Sequence, residues 1–345
     1  VFEIDGSLKS GSGTILRLAV AFAAVSGEQL RIFNIRQKRP QPGLRPQHLE
    51  AVLTAAKLCN AETKGATLSS RELWFSPGDI KGGNFEAQIG TAGNIPMLLL
   101  TVLPICAASK SAVTLHVSKG GTDTTNAPTI NYLKNVLLIG LNRMGIAASL
   151  IVHKYGYYPK GMGEVTLSVQ PTCQRSPIRM HNSGNVRIVR GISTCTFLAD
   201  KRVAERQANS AREYLSTRGI ASEIQIANDT SNPIQKGSSI ALWAETDGEA
   251  ILGADSIGEL GKPSETVGRE AAQRIFSEIQ AKSTADAHLA DMLIPYMALT
   301  NGTSLFFTRM VSDHLETNIW LAEKMLGTHF NISKEKGLFR VEKIG

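Results

Sequence analysis

The chain has 345 residues, 42% hydrophobic and 19% charged, a balance that excludes disordered and fibrous classes and leaves room for roughly two cores. A net charge of +7 favours an anionic partner, with nucleic acid or a nucleotide foremost. The four cysteines, Cys59, Cys106, Cys173 and Cys195, form no CxxC pair, which argues against a zinc site and a disulfide frame and for reduced thiols in a cytoplasmic protein, or a nuclear one in a eukaryote.

In chain order, an apolar helix is predicted from Thr14 to Val25, broken at Ser26-Gly27, then a strand from Gln29 to Ile35. A polar loop leads to a helix from Pro46 to Cys59, and strands around Ala66 to Leu68 and Glu72 to Phe75 close the unit. The same order returns with a helix at Ile95 to Ala108 and a strand at Ala112 to Val117. A helix from Thr129 to Met144 and strands at Ala147 to His153 and Glu164 to Val169 complete it. Ile95 to Ala108 is the most apolar run, but it is short and holds Pro96 and Pro104, so it reads as a buried helix and no membrane span is expected. No secretory leader is legible. A third unit comprises a helix at Leu289 to Thr300, a strand at Ser304 to Thr308, a helix at Glu316 to Leu326, and strands at Thr328 to Ile332 and Leu338 to Val341.

The expected fold class is therefore α/β (α+β), with three helix-strand-helix-strand-strand units forming a large domain from residues 1–182 and 283–345. Residues 183–282 break the period. Strands at Val186 to Phe197, Ser222 to Ala227 and Ser239 to Glu245, with helices at Asp200 to Arg218 and Ser264 to Ala281, mark them as a smaller inserted α/β domain.

The loop between strand and second helix is chemically loaded in each unit. The first reads Ile35-Arg-Gln-Lys-Arg-Pro-Gln-Pro-Gly-Leu-Arg-Pro-Gln-His48, four cations arriving at a helix start whose free N–H groups also attract anions. Arginine's planar fork suits phosphate oxygens, so this loop is expected to bind phosphate and not merely to be solvated. The second, Lys119-Gly-Gly-Thr-Asp-Thr-Thr-Asn-Ala-Pro128, lacks the Gly-Lys-Ser/Thr of a P-loop, and its spacing fits a plain turn equally well. The third, Ser312-Asp-His-Leu-Glu-Thr-Asn318, sets His314 at a helix N-terminus, where a neutral imidazole can attack phosphorus. His116, His153 and His329 lie in or beside strands and read as structural, and no pair stands at metal-ligand spacing.

Between the second-unit strands runs Tyr155-Gly-Tyr-Tyr-Pro-Lys-Gly-Met-Gly-Glu-Val-Thr-Leu167, a glycine-dense turn feeding an alternating strand. This turn resembles the signature of the RNA 3'-terminal phosphate cyclase family. Asp5-Gly6-Ser7, Ile15-Leu16-Arg17, Pro42 to His48, the Gly-Gly-Thr run and His314 extend the resemblance over essentially the whole chain. It implies a repeated large domain with an insert. It also implies ATP-dependent closure of an RNA 3'-phosphate to a 2',3'-cyclic phosphodiester, with ATP and a divalent metal (Mg or Mn) as cofactors and RNA with a 3'-phosphate end as partner. By that resemblance His314 is the adenylylated nucleophile, and Arg17, Arg36 and Arg39 complete the catalytic set. Leu100, Pro128 and the segment His288, Leu289, Ala290, Asp291, Met292 match nucleotide-binding positions. Arg45, Gln47 and His48 fall to the substrate phosphate.

Departures from the family pattern gather at the nucleotide. Ser10 stands where a metal-binding glutamate is usual, Thr14 replaces a glutamine, and Ser12, Lys38 and Met162 replace glycines. Leu100 and Met292 replace glutamines, and His288 replaces a tyrosine. These changes keep a second function open, a non-catalytic relative that binds RNA or partners in ribosome assembly. Enolpyruvyl-transfer enzymes share a repeated α/β unit of this general kind, an analogy of fold alone.

Overall fold

The computed structural model describes residues 1–172 and 174–345, so Cys173 lies outside the described residues. Cys59, Cys106 and Cys195 are free and buried, and burial pushes the Cys59 and Cys106 thiols up to about 12.

The first two units each open on a strand that the sequence pattern does not show. In the first, β1 (Phe2–Asp5) precedes α1 (Gly13–Ser26), β2 (Leu30–Phe33), α2 (Pro46–Cys59), β3 (Glu62–Lys64) and β4 (Leu73–Ser76), in sheet order β1-β2-β4-β3. The strand expected at Ala66 to Leu68 is a turn. The edge strand lies earlier, at the polar Glu62–Lys64, which pairs on β4 from Glu62↔Ser76 to Lys64↔Trp74. The second unit comprises β5 (Gly83–Gln88), α3 (Ile95–Ala108), β6 (Val113–Gly120), α4 (Ile130–Tyr132), α5 (Leu138–Arg143), β7 (Ala148–Lys154) and β8 (Gly163–Val169), in order β5-β6-β8-β7. A π-helical turn, Leu133–Leu137, joins α4 to α5.

Residues 186–281 follow: β9 (Val186–Thr196), α6 (Val203–Ser216), β10 (Ser222–Asp229), β11 (Gly237–Thr246), β12 (Leu252–Ile257) and α7 (Ser264–Ala281), in order β10-β9-β11-β12. Then come α8 (Ala287–Ala298), β13 (Ser304–Thr308), α9 (Asp313–Leu326), β14 (His329–Glu335) and β15 (Leu338–Ile344). The opening segment of this last unit lies before β9. Arg179 bridges Leu305 in parallel, the Leu305 N–H donates to the Ile178 carbonyl at 2.8 Å, and the Met180 N–H donates to the Leu305 carbonyl at 2.8 Å.

Local chemistry sets the helix ends that matter for the site. Ser12 caps α1 by accepting from the Thr14 N–H, and Ser312 caps α9 by accepting from the Leu315 N–H at 2.9 Å. Both helices stop at a left-handed glycine, Gly27 and Gly327. Helix α1 packs on α2, α3 and α9, and α8 packs on α9. That packing buries Ile15, Leu16, Val20, Phe22, Leu99, Leu293 and Leu321 in one continuous core. A second core, built on Val189, Leu215, Ile224, Leu242, Val267 and Ile275, lies among the strands and helices of residues 186–281. Among the described residues no helix is long and apolar enough to cross a membrane.

Candidate active site

His314 is the second residue of α9, and its surroundings come from three separated stretches. Thr14 Oγ1, in the first turn of α1, lies 3.3 Å from His314 Nδ1. Arg17, one turn further along α1, donates from Nη2 to the same hydroxyl at 3.2 Å. The cap Ser312 donates from Oγ to Asp291 Oδ1 at 2.5 Å, and Asn318 Nδ2 donates to the Asp291 carbonyl at 2.8 Å, which ties α8 to the start of α9. Burial holds the His314 imidazole below its ordinary value, Arg17 and Arg39 push the same way, and Asp313 opposes them. The ring is therefore neutral at neutral pH. Burial lifts Asp291 to about 6 against its hydrogen bond from Ser312.

These groups open on a cavity of about 570 Å³, within the range of small-molecule sites. Its apolar side is Leu18, Met97, Leu100, Met292, Pro295 and Tyr296. The loop from Thr124 to Thr129, with Pro128, forms a second side, and Thr14, Arg17, His288, Asp291 and His314 close one end. A further stretch of the lining was not foreseen from sequence. It comes from the interrupting segment, as Asp255, Ser256, Ile257, Glu259, Lys262 and Arg274. Asp255 joins it to the second side by accepting the Thr129 N–H at 2.6 Å. Arg274 donates to the Asp255 carbonyl at 2.8 Å, and Lys262 and Ser256 both bond Glu270 Oε2.

The loop facing the cavity is braced from behind by the glycine-dense turn. The Thr122 N–H donates to the Gly156 carbonyl at 2.8 Å, and the Gly156 N–H donates to Thr122 Oγ1 at 2.9 Å. A Cβ on Gly156 would lie 2.4 Å from the Gly120 carbonyl oxygen, so the two loops touch backbone to backbone.

Residues 8–332 match the model of the RNA 3'-terminal phosphate cyclase family. The chain belongs to that family. It is 42% identical over 342 residues to the RNA 3'-terminal phosphate cyclase of Pyrococcus furiosus, covering 98% of each chain. It is 41% identical over 341 residues to the Methanopyrus kandleri protein of that name, covering 98% of this chain and 96% of the relative. The Pyrobaculum aerophilum protein of that name is 40% identical over 345 residues, with 99% and 98% covered.

Within this cyclase-family chain the residues expected at the site divide into groups. His314, Arg17, Leu100, Pro128, His288, Asp291 and Met292 line the cavity, whereas Leu289 and Ala290 are turned into the core at 0% exposure. The basic loop stands beside the cavity and is joined to it through His48. A Cβ on Gly13 would meet His48 Nε2 at 2.2 Å and Arg17 Nη1 at 2.8 Å, so imidazole and guanidinium abut the same bare glycine. His48 is buried, its Nδ1 has no partner, and its value is pressed down to about 2 by burial first and then by Arg17, Arg36 and Arg45. Arg36 is committed to the loop itself, donating from Nη1 to the carbonyls of Gln41 and Gly43 at 2.8 and 2.9 Å. Gln47 accepts the Asn94 N–H at 2.8 Å and thus links α2 to the cap of α3. Arg39 and Arg45 lie on the same loop, and their charge reaches Arg36.

Ser10 shares a hydrogen bond of 3.0 Å with Ser12 Oγ, and its N–H donates to Thr317 Oγ1 at 3.3 Å. This donor set is neutral hydroxyls, while a hard divalent cation asks for carboxylate oxygens. Among the described residues no three His, Cys, Asp or Glu side chains are grouped to hold a metal. The residues around Ser10 do not fit a protein-ligated divalent cation.

Proposed function

We propose that this chain is an ATP-dependent RNA 3'-phosphate cyclase acting through His314. The observation that carries the reading is an imidazole at a helix N-terminus, bonded to Thr14, which Arg17 engages in turn, on a cavity of about 570 Å³. The family membership and the names of its relatives support the same activity. With Nδ1–H donating to Thr14 Oγ1, Nε2 keeps its lone pair and faces a substrate; the threonine oxygen accepts from Arg17 with its other lone pair.

In this reading Nε2 attacks the α-phosphorus of ATP. A P–N bond forms, the bond to the bridging oxygen breaks, and pyrophosphate leaves. An oxygen of the RNA 3'-phosphate then attacks the same phosphorus, freeing His314 and giving an adenylated RNA end. The vicinal 2'-hydroxyl attacks the terminal RNA phosphorus, losing its proton. AMP departs, and a 2',3'-cyclic phosphodiester remains. Phosphoryl chemistry of this kind rests on positioning and charge stabilisation, which the cations at Arg17 and Arg39 supply. The apolar Leu100, Met292 and Pro295 accept the flat base.

The test is incubation with α-labelled ATP. An acid-labile phosphoramidate should appear on wild type and be absent from His314→Ala. Label that persists in His314→Ala would move the nucleophile elsewhere. Absence of label on wild type would favour the second reading, a non-catalytic RNA-binding relative. That reading is supported by hydrophobic Leu100 and Met292 at the cavity and by the carboxylate-free hydroxyls at Ser10.

A further inference from the structure

The tip of the glycine-dense turn is outside the cavity and outside the chemistry above, and it is built to present one side chain. Tyr157 and Gly161 close the turn as a bridge, with the Gly161 N–H donating to the Tyr157 carbonyl at 2.7 Å. The turn is then clamped from the interrupting segment. Asn232 Nδ2 donates to the carbonyls of Tyr155 and Gly161 at 2.7 and 3.0 Å, and the Lys160 N–H donates to Gln235 Oε1 at 3.2 Å. The Tyr157 ring is packed on Gly237. Its neighbour Tyr158, by contrast, stands 78% exposed, with Ile234 51% exposed on the clamping loop.

On a clamped tip no loop has to be ordered on binding, and a tyrosine has only two χ angles to fix. Three exposed ammonium groups belong to the same assembly: Lys160 on the tip, Lys236 beside Gly237, and Lys119 beside the Gly120 on which the turn rests. Among the described residues none of the three is held in an ion pair. The turn is also tied to a loop that lines the site. Thr122, bonded to Gly156 of the turn, is two residues from Thr124, which lines the cavity.

We propose that Tyr158, with Lys119, Lys160 and Lys236, is a platform for single-stranded RNA lying upstream of the end that enters the cavity. The inference rests on the cyclase reading only for the direction of the strand. A tyrosine face stacks on any base, and ammonium groups track phosphates without reading sequence, so recognition here is for an unpaired strand and is tolerant of its sequence. Ion-paired lysines would not offer this, and a paired RNA helix would present no open base to the ring.

The test measures binding of a fluorescently labelled 12-nucleotide single-stranded RNA carrying a 3'-phosphate, by anisotropy. Tyr158→Ala should weaken binding about fivefold or more, the scale of losing one base–aromatic stack, while Tyr158→Phe stays within about twofold of wild type. Lys160→Ala should flatten the dependence of log Kd on log salt by about 0.7, as for one single-strand phosphate contact. Histidine adenylylation, measured alongside, should be the same in wild type and all three variants. Equal affinity of wild type and Tyr158→Ala, or an equal loss on duplex RNA of the same length, would overturn the platform. If wild type is never adenylylated yet Tyr158→Ala still loses the single strand, the platform stands and the cyclase reading falls.

Discussion

Thr14 Oγ1 and His314 Nδ1 meet at 3.3 Å across 300 residues of chain. The hydroxyl fixes which ring nitrogen is engaged, and Arg17 fixes the hydroxyl in turn. Thr14→Val removes the oxygen and keeps the shape, so the ring loses its Nδ1 hydrogen bond. Adenylylation in a single turnover should fall about tenfold, the scale of one hydrogen bond of about 1.4 kcal/mol, and Thr14→Ser should restore most of it. An unchanged rate in Thr14→Val would remove the contact from the mechanism.

A pH profile follows from the depressed imidazole. On the proposed mechanism, His314 below its pKa is protonated and cannot attack phosphorus. Burial, Arg17 and Arg39 hold that pKa below 6.5, so the midpoint of the fall in adenylylation rate should lie below pH 6.5. Arg39→Gln removes one of the depressing charges and should move the drop to higher pH. A wild-type midpoint at or above 6.5 would contradict this account.

His48 makes a prediction about stability and not rate. Its folded pKa of about 2 lies far below the ordinary 6.5, so on acidification the unfolded chain takes up the proton first. Its contribution is fully present above pH 6.5 and is lost progressively as pH falls towards 2. Asp123, lifted to about 7, and Asp286 and Asp291, lifted to about 6, act in the opposite sense, because the folded state keeps protons that the unfolded chain releases. Comparison with His48→Gln cancels the carboxyls. Between pH 6 and 4 the variant should lose less stability than wild type by up to about 1.4 kcal/mol per pH unit, one proton's worth. Parallel urea-unfolding curves at each pH would show that His48 is free to protonate in the fold.

Two arginines of one loop should separate. Arg36 bonds the Gln41 and Gly43 carbonyls, so Arg36→Ala should lower stability by about 1–2 kcal/mol and disturb phosphate handling together. Arg39→Ala should impair transfer to RNA 3'-phosphate about tenfold or more, as for loss of a charged phosphate contact, with stability within about 0.5 kcal/mol of wild type. Thermal melts beside single-turnover transfer distinguish them. Equal melts would mean that the Arg36 bonds do not stiffen the loop.

The hydroxyl set at Ser10 predicts that wild-type adenylylation shows no tight saturation with divalent metal beyond what the nucleotide itself carries. Ser10→Glu adds a carboxylate among Ser12, Thr14 and Thr317, and should shift the metal dependence to lower concentration. Superimposable metal titrations of the two proteins would place residue 10 outside any metal shell.

Much of this architecture is written locally. The α7 helix begins and ends where its amphipathic pattern does, and serine caps and terminal glycines announce α1 and α9. The missed strands fail for a physical reason. Glu62–Lys64 and Gly83–Gln88 are polar edge strands held by backbone pairing from one side, so they carry little hydrophobic alternation. Leu252–Ile257 is nearly all buried, with its polar Asp255 and Ser256 adjacent and buried too, so it shows no alternation of apolar and polar residues. The resemblance named His314, Arg17 and Asp291, which line one cavity, because each belongs to a local motif. It did not locate Asp255, Lys262 or Arg274, nor the pairing of Thr14 with His314, since packing between distant segments leaves no spacing to read.

The parallel pairing of Arg179 with Leu305 has a consequence for how the protein is made. Ile178 and its partner Ser304 are 126 residues apart, and the whole interrupting segment is synthesised between them. At about 5–20 residues per second a ribosome needs roughly 6–25 seconds to cover that distance. Throughout that interval the emerging Ile178–Met180 segment has no strand to receive it, and an unpaired strand edge is what holdase chaperones and neighbouring nascent chains capture. The rest of that sheet comes later still, since β15, the other neighbour of β13, spans Leu338–Ile344 and is the last strand of the chain to be made.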